Sequence, residues 1–416
     1  MTDTALAPDT GYAHYPRLRE RFAPVLAQIA EGAADRDRER CLPHAEVRAL
    51  AAAGFTAVTV PTCHGGGGAD VETLVRLLID LGEADSNLPQ LLRAHFAFVN
   101  DFLIRAEEGE PDDWFARIAA GAVLGNASHE RSTATVGDLA TVVTPDGPDY
   151  RLSGEKHYST GSIFADWINV SARTPDGRRA RVTVGVHDPG VELRDDWDGF
   201  GQTLTGSGST LFTDVHVPAD RVRLLEGRGD GAATTQTAFL QLVLLASLVG
   251  TGRAALRDGI GFVRSRTRVY SQGSGATAAS DPLVQQVIGR LSAKVASAQD
   301  AVLAAARALA AAQAALGEEE HERLTDAAEL RTVQAQITAV ADVLAVTTEL
   351  FEVGGASATS RGRGLDRHWR NARTLASHNP VIYQERAIGD RLLNGADLLY
   401  FWSTGEKRAG SPPLRS

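Results

Sequence analysis

From Pro282 onward, apolar residues recur at helical spacing over stretches much longer than the three or four turns of an ordinary globular helix. Leu283, Val287, Leu291, Val295, Ala298 and Val302 form one stripe behind a proline at the first helical position. Leu330, Ile337, Val340, Leu344 and Phe351 form a second, stopped at Gly354-Gly355. Alanine is abundant in both segments, and a pair of helices this long with small contact residues predicts an antiparallel bundle. Just upstream, Ala238 to Gly250 is the most apolar run in the chain. It falls short of the roughly 18 residues expected of a bilayer span, so it is expected to be a helix buried in protein, with no membrane involved. Gln272 to Ser280, rich in Gly, Ser and Ala, is expected to be a mobile loop.

The texture ahead of this bundle changes twice. Up to about residue 125 the pattern is helical: Leu42 to Ala51 is amphipathic with Pro43 near its start and Ala53-Gly54 at its end, and Val71, Leu74, Val75 and Leu78 share one face. Gly65 to Gly68 is a turn without the spacing of a dinucleotide fingerprint. From 126 to 231 the segments are short and alternating. Ala140 to Val143, Tyr150 to Leu152, Trp167 to Ser171, Arg181 to Val186 and Thr210 to Phe212 are expected strands, with Thr144-Pro145-Asp146-Gly147 and Thr174-Pro175-Asp176-Gly177 as hairpin turns. Short strands of this kind suggest a small barrel or sandwich. The plan is therefore α+β in three parts: 1–125 helical, 126–231 a β-domain, 232–416 helical again.

The totals remove several classes. In 416 residues, Lys+Arg 42 against Asp+Glu 52 gives a net charge of -10, which disfavours binding to a nucleic-acid backbone. Cys41 and Cys63 are too few for a disulfide framework and lack the histidine clustering of a zinc site. The N-terminus shows neither the basic nor the apolar region of a signal peptide, so a cytoplasmic location is expected. The Gly206-Ser207-Gly208-Ser209 stretch does not follow the nucleophile-elbow pattern.

Six blocks, in order, carry a family resemblance: Gly125-Asn126-Ala127-Ser128, Gly154 to Gly161, Asp195 to Gly201, Ser207 to Thr210, Phe351-Glu352-Val353 and Trp369 to Thr374. From about Leu42 to Gly395 the chain resembles the acyl-CoA dehydrogenase superfamily, and within it the reduced-flavin-dependent monooxygenases typified by dibenzothiophene monooxygenase. The resemblance implies a C-terminal four-helix bundle, a flavin between that bundle and the β-domain, and a homotetramer in which one subunit completes the site of another. Asn126, Ser128, Ser159, Thr160 and Trp197 match positions that line the isoalloxazine. Arg266 matches the arginine that a neighbouring subunit sends to the flavin phosphate.

The type of reaction turns on an absence. A dehydrogenase of this superfamily removes an α-proton with a carboxylate. The run from Arg367 to Gln384 contains none, and no Asp or Glu lies between Asp230 and Asp258, so both places where the family keeps its base lack an acid. Monooxygenation, through a C4a-hydroperoxyflavin, asks instead for hydroxyls and amides such as Asn126, Ser159 and Thr160 around a dry pocket. His95 and His378 match two histidines that face each other across the flavin in the resembling branch. An imidazole near its ordinary pKa of about 6.5 can shuttle a proton, so both are candidate catalytic residues. The expected cofactor is reduced FMN, with FAD as the alternative. No nicotinamide fingerprint appears, so a separate NAD(P)H-dependent flavin reductase is the expected partner, with O2 and a small organic molecule as substrates. Leu375 and Ser357 depart from the branch, so the familiar substrate does not transfer. The competing readings are an acyl-CoA dehydrogenase or oxidase with an unconventional base, and a non-catalytic flavin-fold binding protein.

Overall fold

The computed structural model describes residues 14–107, 114–131, 139–225 and 234–398. The expected boundary at 231/232 lies outside them. Six helices come first: α1 (His14–Glu39), α2 (His44–Ala52), α3 (Val71–Ala84), α4 (Asn87–Leu91), α5 (Arg93–Glu107) and α6 (Trp114–Ala119). Helix α2 begins after Pro43 and ends before Gly54, whose φ of 81° turns the chain out of the helix. Asp70 caps α3 by accepting from the Thr73 N–H, and the face of α3 bearing Leu74, Leu77, Leu78 and Leu81 is fully buried.

The central region is an eight-stranded mixed sheet. Its strands are β1 (Leu124–Ala127), β2 (Val142–Asp146), β3 (Asp149–Lys156), β4 (Trp167–Arg173), β5 (Arg179–Gly185), β6 (Val191–Leu193), β7 (Thr210–Val217) and β8 (Val222–Leu224). The order is β6-β7-β3-β2-β4-β5-β8, with β1 parallel to β4 from Leu124↔Trp167 to Ala127↔Val170. Strands β2 and β4 meet at a single pair, Val142↔Arg173, so two halves hinge there and close over one apolar core. Val143, Leu152, Phe212 and Val215 come from one half; Ile168, Val170, Val182 and Val184 come from the other. The expected turn at Thr144 to Gly147 is mostly strand, because Pro145 still pairs with Tyr150 and only Gly147-Pro148 reverses the chain. Strand β1 straddles 125/126, so the expected first boundary cuts through a strand.

The C-terminal part contains α7 (Thr235–Ser265), α8 (Pro282–Ala314), α9 (His321–Glu349), α10 (Asp366–Ser377) and α11 (Val381–Asn394). Helices α8 and α9 form the antiparallel pair expected from their stripes, and α7 and α10 pack against α9 to complete a four-helix arrangement. Helix α7 is longer than its apolar run suggested. At 31 residues it is long and apolar enough to span a bilayer, but 83% of its most apolar window is buried inside the fold against α3, α8 and α9. The segment ahead of α8 is held by hydrogen bonds: Asp281 accepts from the Ser274, Leu283 and Val284 N–H groups, and Thr277 and Ser280 cap each other. Both cysteines are exposed and free.

Candidate active site

The exit of β1 and the turn after β3 form one continuous polar edge. Ser162 Oγ donates to the Asn126 carbonyl at 2.8 Å, and the Ser162 N–H donates to the Ser159 carbonyl at 3.0 Å, so Asn126 and Ser159 are tied to the same residue. Thr160 Oγ1 lies 2.8 Å from Ser207 Oγ, which lies 2.7 Å from Thr205 Oγ1, giving a chain of three hydroxyls. Ser128 accepts from Ser171 Oγ through its hydroxyl and from Lys156 Nζ through its carbonyl. The turn depends on Gly161, whose φ is 81° and where a Cβ would stand 2.1 Å from the Leu91 carbonyl oxygen. Within this otherwise bonded edge, Asn126 Oδ1 and Ser159 Oγ are buried with no hydrogen-bond partner among the described residues. Burying a polar atom unpaired costs about 1–3 kcal/mol, so two such atoms on segments tied to the same Ser162 point to a polar ligand.

Trp197 sits on the loop between β6 and β7, its indole N–H directed to the Gly201 carbonyl and its ring edge-on to Tyr158 at 6.1 Å. Tyr158 precedes Ser159, so Trp197 does border the same edge. The loop is fastened to α10: Asn371 Oδ1 accepts from the Gln202 N–H at 2.6 Å, and Asn371 Nδ2 donates to Ser86 Oγ at 3.0 Å. Gly201 packs directly on the Arg370 carbonyl, where a Cβ would come within 2.0 Å.

The two candidate histidines separate sharply. His95 is fully buried; its Nδ1 accepts from the Leu124 N–H at 3.2 Å, which leaves the proton on Nε2 to donate to the Thr56 carbonyl at 2.8 Å. Desolvation pushes its pKa down to about 4. Both ring nitrogens are bonded to backbone, so His95 seats β1 on α5. His378 caps α10 at its C-terminal end. Its Nε2 accepts from Arg93 Nη1 at 2.9 Å, placing the proton on Nδ1, which faces Asn379 Oδ1 at 3.4 Å. Its pKa is lowered, first by desolvation and then by the Arg93 charge. Asn379 Nδ2 in turn donates to Gln241 Oε1 on α7 at 2.6 Å. His129, one residue beyond Ser128, lies in the field of Arg93 and links this cluster to the polar edge. Arg93, His129, Asn379 and Gln241 were not among the residues expected from the sequence; the nearest signals were the position of Arg93 one turn ahead of the buried face of α5 and that of His129 beside Ser128.

A model of the acyl-CoA dehydrogenase N-terminal domain matches residues 18–122, and one of the acyl-CoA dehydrogenase C-terminal domain matches 242–382. The chain belongs to the acyl-CoA dehydrogenase superfamily. Within the superfamily it groups with flavin-dependent monooxygenases. It is 29% identical to the dibenzothiophene monooxygenase of Mycolicibacterium goodii, over 83% of this chain and 86% of that one. It is 28% identical to the probable FMNH2-dependent monooxygenase SfnC of Pseudomonas putida, over 91% and 95%. The FMN-bound structure of TdsC from Paenibacillus sp. A11-2 superposes with a TM-score of 0.84 at 26% identity, covering 93% of this chain and 100% of that one.

The cofactor of this group is FMN, and the site's residues suit it. An isoalloxazine edge carries both N–H donors and carbonyl acceptors, which matches one orphaned amide oxygen and one orphaned hydroxyl, Asn126 Oδ1 and Ser159 Oγ. Arg266 is not part of this edge in its own chain. It follows the last residue of α7, donates to the Val353 carbonyl at 2.7 Å and lies over the rings of Phe262 and Tyr270. From Gln241 to Arg266 the helix rises about 37 Å at 1.5 Å per residue, too far for any arginine to span.

Proposed function

We propose that this enzyme is the oxygenase half of a two-component system, taking reduced FMN from a separate NAD(P)H-dependent flavin reductase and inserting one atom of O2 into a small organic substrate at sulfur, nitrogen or an aromatic carbon. The observation that carries the reading is the carboxylate-free corner around His378. Helix α10 has no acid after Asp366, and α7 has none before Asp258, which is committed to Arg367 at 2.5 Å and His368 at 3.0 Å. The position where dehydrogenation needs a carboxylate base is filled instead by an imidazole that Arg93 and Asn379 hold in one tautomer.

Bound reduced FMN supplies the reaction with O2 and the transferable oxygen atom. The chain's own residues do the rest. Asn126 and Ser159 fix the flavin edge, and the Thr160-Ser207-Thr205 hydroxyls stiffen the turn that presents Ser159. His378 is neutral at working pH, with Nε2 held by Arg93 and its proton at Nδ1, whose contact with Asn379 Oδ1 is a long 3.4 Å, so the ring serves the reacting centre as an N–H donor. Cytoplasm, where NAD(P)H-dependent reductases operate, is the compartment this reading requires.

The test supplies the protein with FMN, a flavin reductase, NADH and 18O2, and follows one 18O atom into the product of an organic sulfide. Acyl-CoA bleaching of bound flavin under argon, with no 18O transfer, would establish the dehydrogenase reading in its place. Absence of FMN affinity in either redox state would establish a binding-protein reading. Ser159→Ala is expected to weaken FMN binding about 5- to 20-fold, the worth of one buried hydrogen bond, measured by fluorescence titration.

We also propose a homotetramer in which Arg266 of a second copy reaches the FMN phosphate. Helix α11 supports this, since none of its side chains is buried and Ile382, Tyr383, Leu392 and Leu393 are 66 to 85% exposed along it. Leu392→Lys with Leu393→Lys is expected to lower the mass measured by light scattering and to cost FMN affinity along with it. An unchanged mass would remove α11 from the contact.

A further inference from the structure

Side chains of β1 and β4 alternate between two faces. Ala127, Ile168 and Val170 enter the apolar core of the β-domain, and the residues between them form three rows on the other face. The first row, Leu124 and Trp167, packs in one cluster with Phe98 and Phe102 of α5. The third is a hydroxyl pair: Ser171 Oγ donates to Ser128 Oγ at 3.1 Å, just past the end of β1. Between these rows stand two asparagines, Asn126 and Asn169, which are register partners in the parallel pair. Asparagine is a poor strand former, and here two lie on neighbouring strands about 4.8 Å apart. Asn169 Oδ1, like Asn126 Oδ1, is buried with no hydrogen-bond partner among the described residues. Turning either carboxamide over would let one N–H meet the other side chain's oxygen and would still leave one oxygen unpaired. One flavin edge accounts for Asn126 together with Ser159. Asn169 is left over.

The hydroxyl row next to it has a fixed direction. A guanidinium can only donate, so the bond from Arg181 Nη1 makes Ser171 Oγ an acceptor and sends the Ser171 proton to Ser128. Ser128 Oγ takes that proton, and its own has no acceptor among the described residues. The wall therefore presents an unused acceptor, Asn169 Oδ1, diagonally across from an unused donor, the Ser128 hydroxyl. Diagonal neighbours on adjacent strands lie roughly 7–8 Å apart, which leaves room for one small group between their side chains. A hydroxyl is the smallest neutral group that answers both, giving its proton to the amide and its lone pair to the serine. We propose that the substrate carries a phenolic or alcoholic hydroxyl, held between Asn169 and Ser128, with the atom to be oxygenated over the flavin edge at Asn126 and Ser159. Asn169 is then a specificity-determining residue. The inference rests on the monooxygenase reading and narrows its substrate from any small molecule to a hydroxylated one.

Thioanisole and para-hydroxythioanisole share a ring and a sulfide sulfur and differ by one hydroxyl. With FMN, a flavin reductase, NADH and 18O2, the hydroxylated probe is expected to show at least about tenfold higher kcat/KM for labelled sulfoxide. Asn169→Val, which suits a strand and removes the acceptor, should bring the two values to within about twofold of each other. Ser128→Ala, which removes only the donor, should give up part of the preference. Equal kcat/KM for the two probes in the parent enzyme overturns the inference, and so does a preference that survives both substitutions. The ribityl chain of FMN also carries hydroxyls, so fluorescence titration with FMN is run on each variant. A loss of FMN affinity in Asn169→Val that lowers both probes alike would assign Asn169 to the cofactor and sink the hydroxylated substrate. Calorimetric titration of both probes into FMN-loaded protein keeps the two ideas apart. Tighter binding of the hydroxylated probe, abolished in Asn169→Val but with no 18O transferred to either compound, would leave the hydroxyl site standing and sink the monooxygenase. Oxygenation of thioanisole in preference to its hydroxylated partner would do the reverse.

Discussion

Lys156→Met is expected to destabilise the enzyme by about 3–5 kcal/mol, because it strands a carboxylate inside the β-domain. Lys156 and Glu130 are 0% and 1% exposed at the side chain, and Nζ lies 2.5 Å from Oε1. Desolvation alone would raise the Glu130 pKa. The Lys156 hydrogen bond and the backbone donors of Ala140 and Thr141 outweigh it and hold the carboxyl below its ordinary 4.5. A folded-state pKa below the unfolded one means that this stabilisation is present at neutral pH and is lost as pH falls through the acid range. Glu130→Gln added to Lys156→Met should recover part of the loss, since the double variant buries no unpaired charge. The measurement is the guanidinium midpoint of both single variants and the double, assembled as a cycle. A cost under about 1 kcal/mol for Lys156→Met would show that the pair does not hold the strand. The pair also has a functional position. Lys156 Nζ donates to the Ser128 carbonyl as well, so the same ammonium locks the end of β3 to the segment carrying Asn126, Ser128 and His129. FMN affinity is therefore expected to fall with stability in Lys156→Met, and to return with it in the double variant.

Helices with a long apolar face were legible in the sequence, and so were strands of seven or eight residues, because a side chain's period reports which side of an element is buried. The stripe from Leu283 to Val302 falls within α8, which runs on to Ala314, and Arg181 to Val186 maps onto β5 to within a residue or two. Three strands escaped. β6 and β8 are three residues each, too short to alternate, and β1 reads Leu-Gly-Asn-Ala, two of whose residues are poor strand formers that belong there only because β4 pairs with them in parallel. The candidate site divides on the same principle. Asn126, Ser159 and Thr160 are adjacent in space because short turns of nearby chain bring them together. His95 and His378 looked equivalent as residue types. What distinguishes them is a Thr56 carbonyl, a Leu124 amide and an Arg93 guanidinium, contacts that span 29 to 285 positions of sequence and leave no local pattern.

Glu329→Gln is expected to stabilise the enzyme, and by an amount that grows with pH. Glu329 lies on α9 within a buried polar stripe, with Thr325 one turn before it and Thr332 and Gln336 after it, all no more than 5% exposed. Its Oε2 is buried with no partner among the described residues, as are Thr325 Oγ1 and Gln336 Oε1. Burial, and then the charge of Asp326, raise its pKa from 4.5 to about 8; Asp326 is itself paired with Arg391 of α11. The sign follows from the proton count. Between pH 4.5 and 8 the unfolded chain has lost this proton and the folded one keeps it, so folding becomes less favourable by up to 1.4 kcal/mol for each pH unit crossed, several kcal/mol in all. Glutamine keeps the shape and has no proton to lose. The melting temperatures of the two proteins should thus nearly coincide at pH 5 and stand several degrees apart at pH 8.5, with Glu329→Gln the higher. A gap that stays constant across that range would mean Glu329 is ionised in the folded enzyme and has a compensating partner. The same stripe touches the active site at its other end, where Gln336 Nε2 donates to the Asn379 carbonyl at 2.8 Å. Ionising Glu329 therefore loosens the helix on which the neighbour of His378 is seated, and Glu329→Gln should also hold turnover further into the alkaline range than the parent enzyme does.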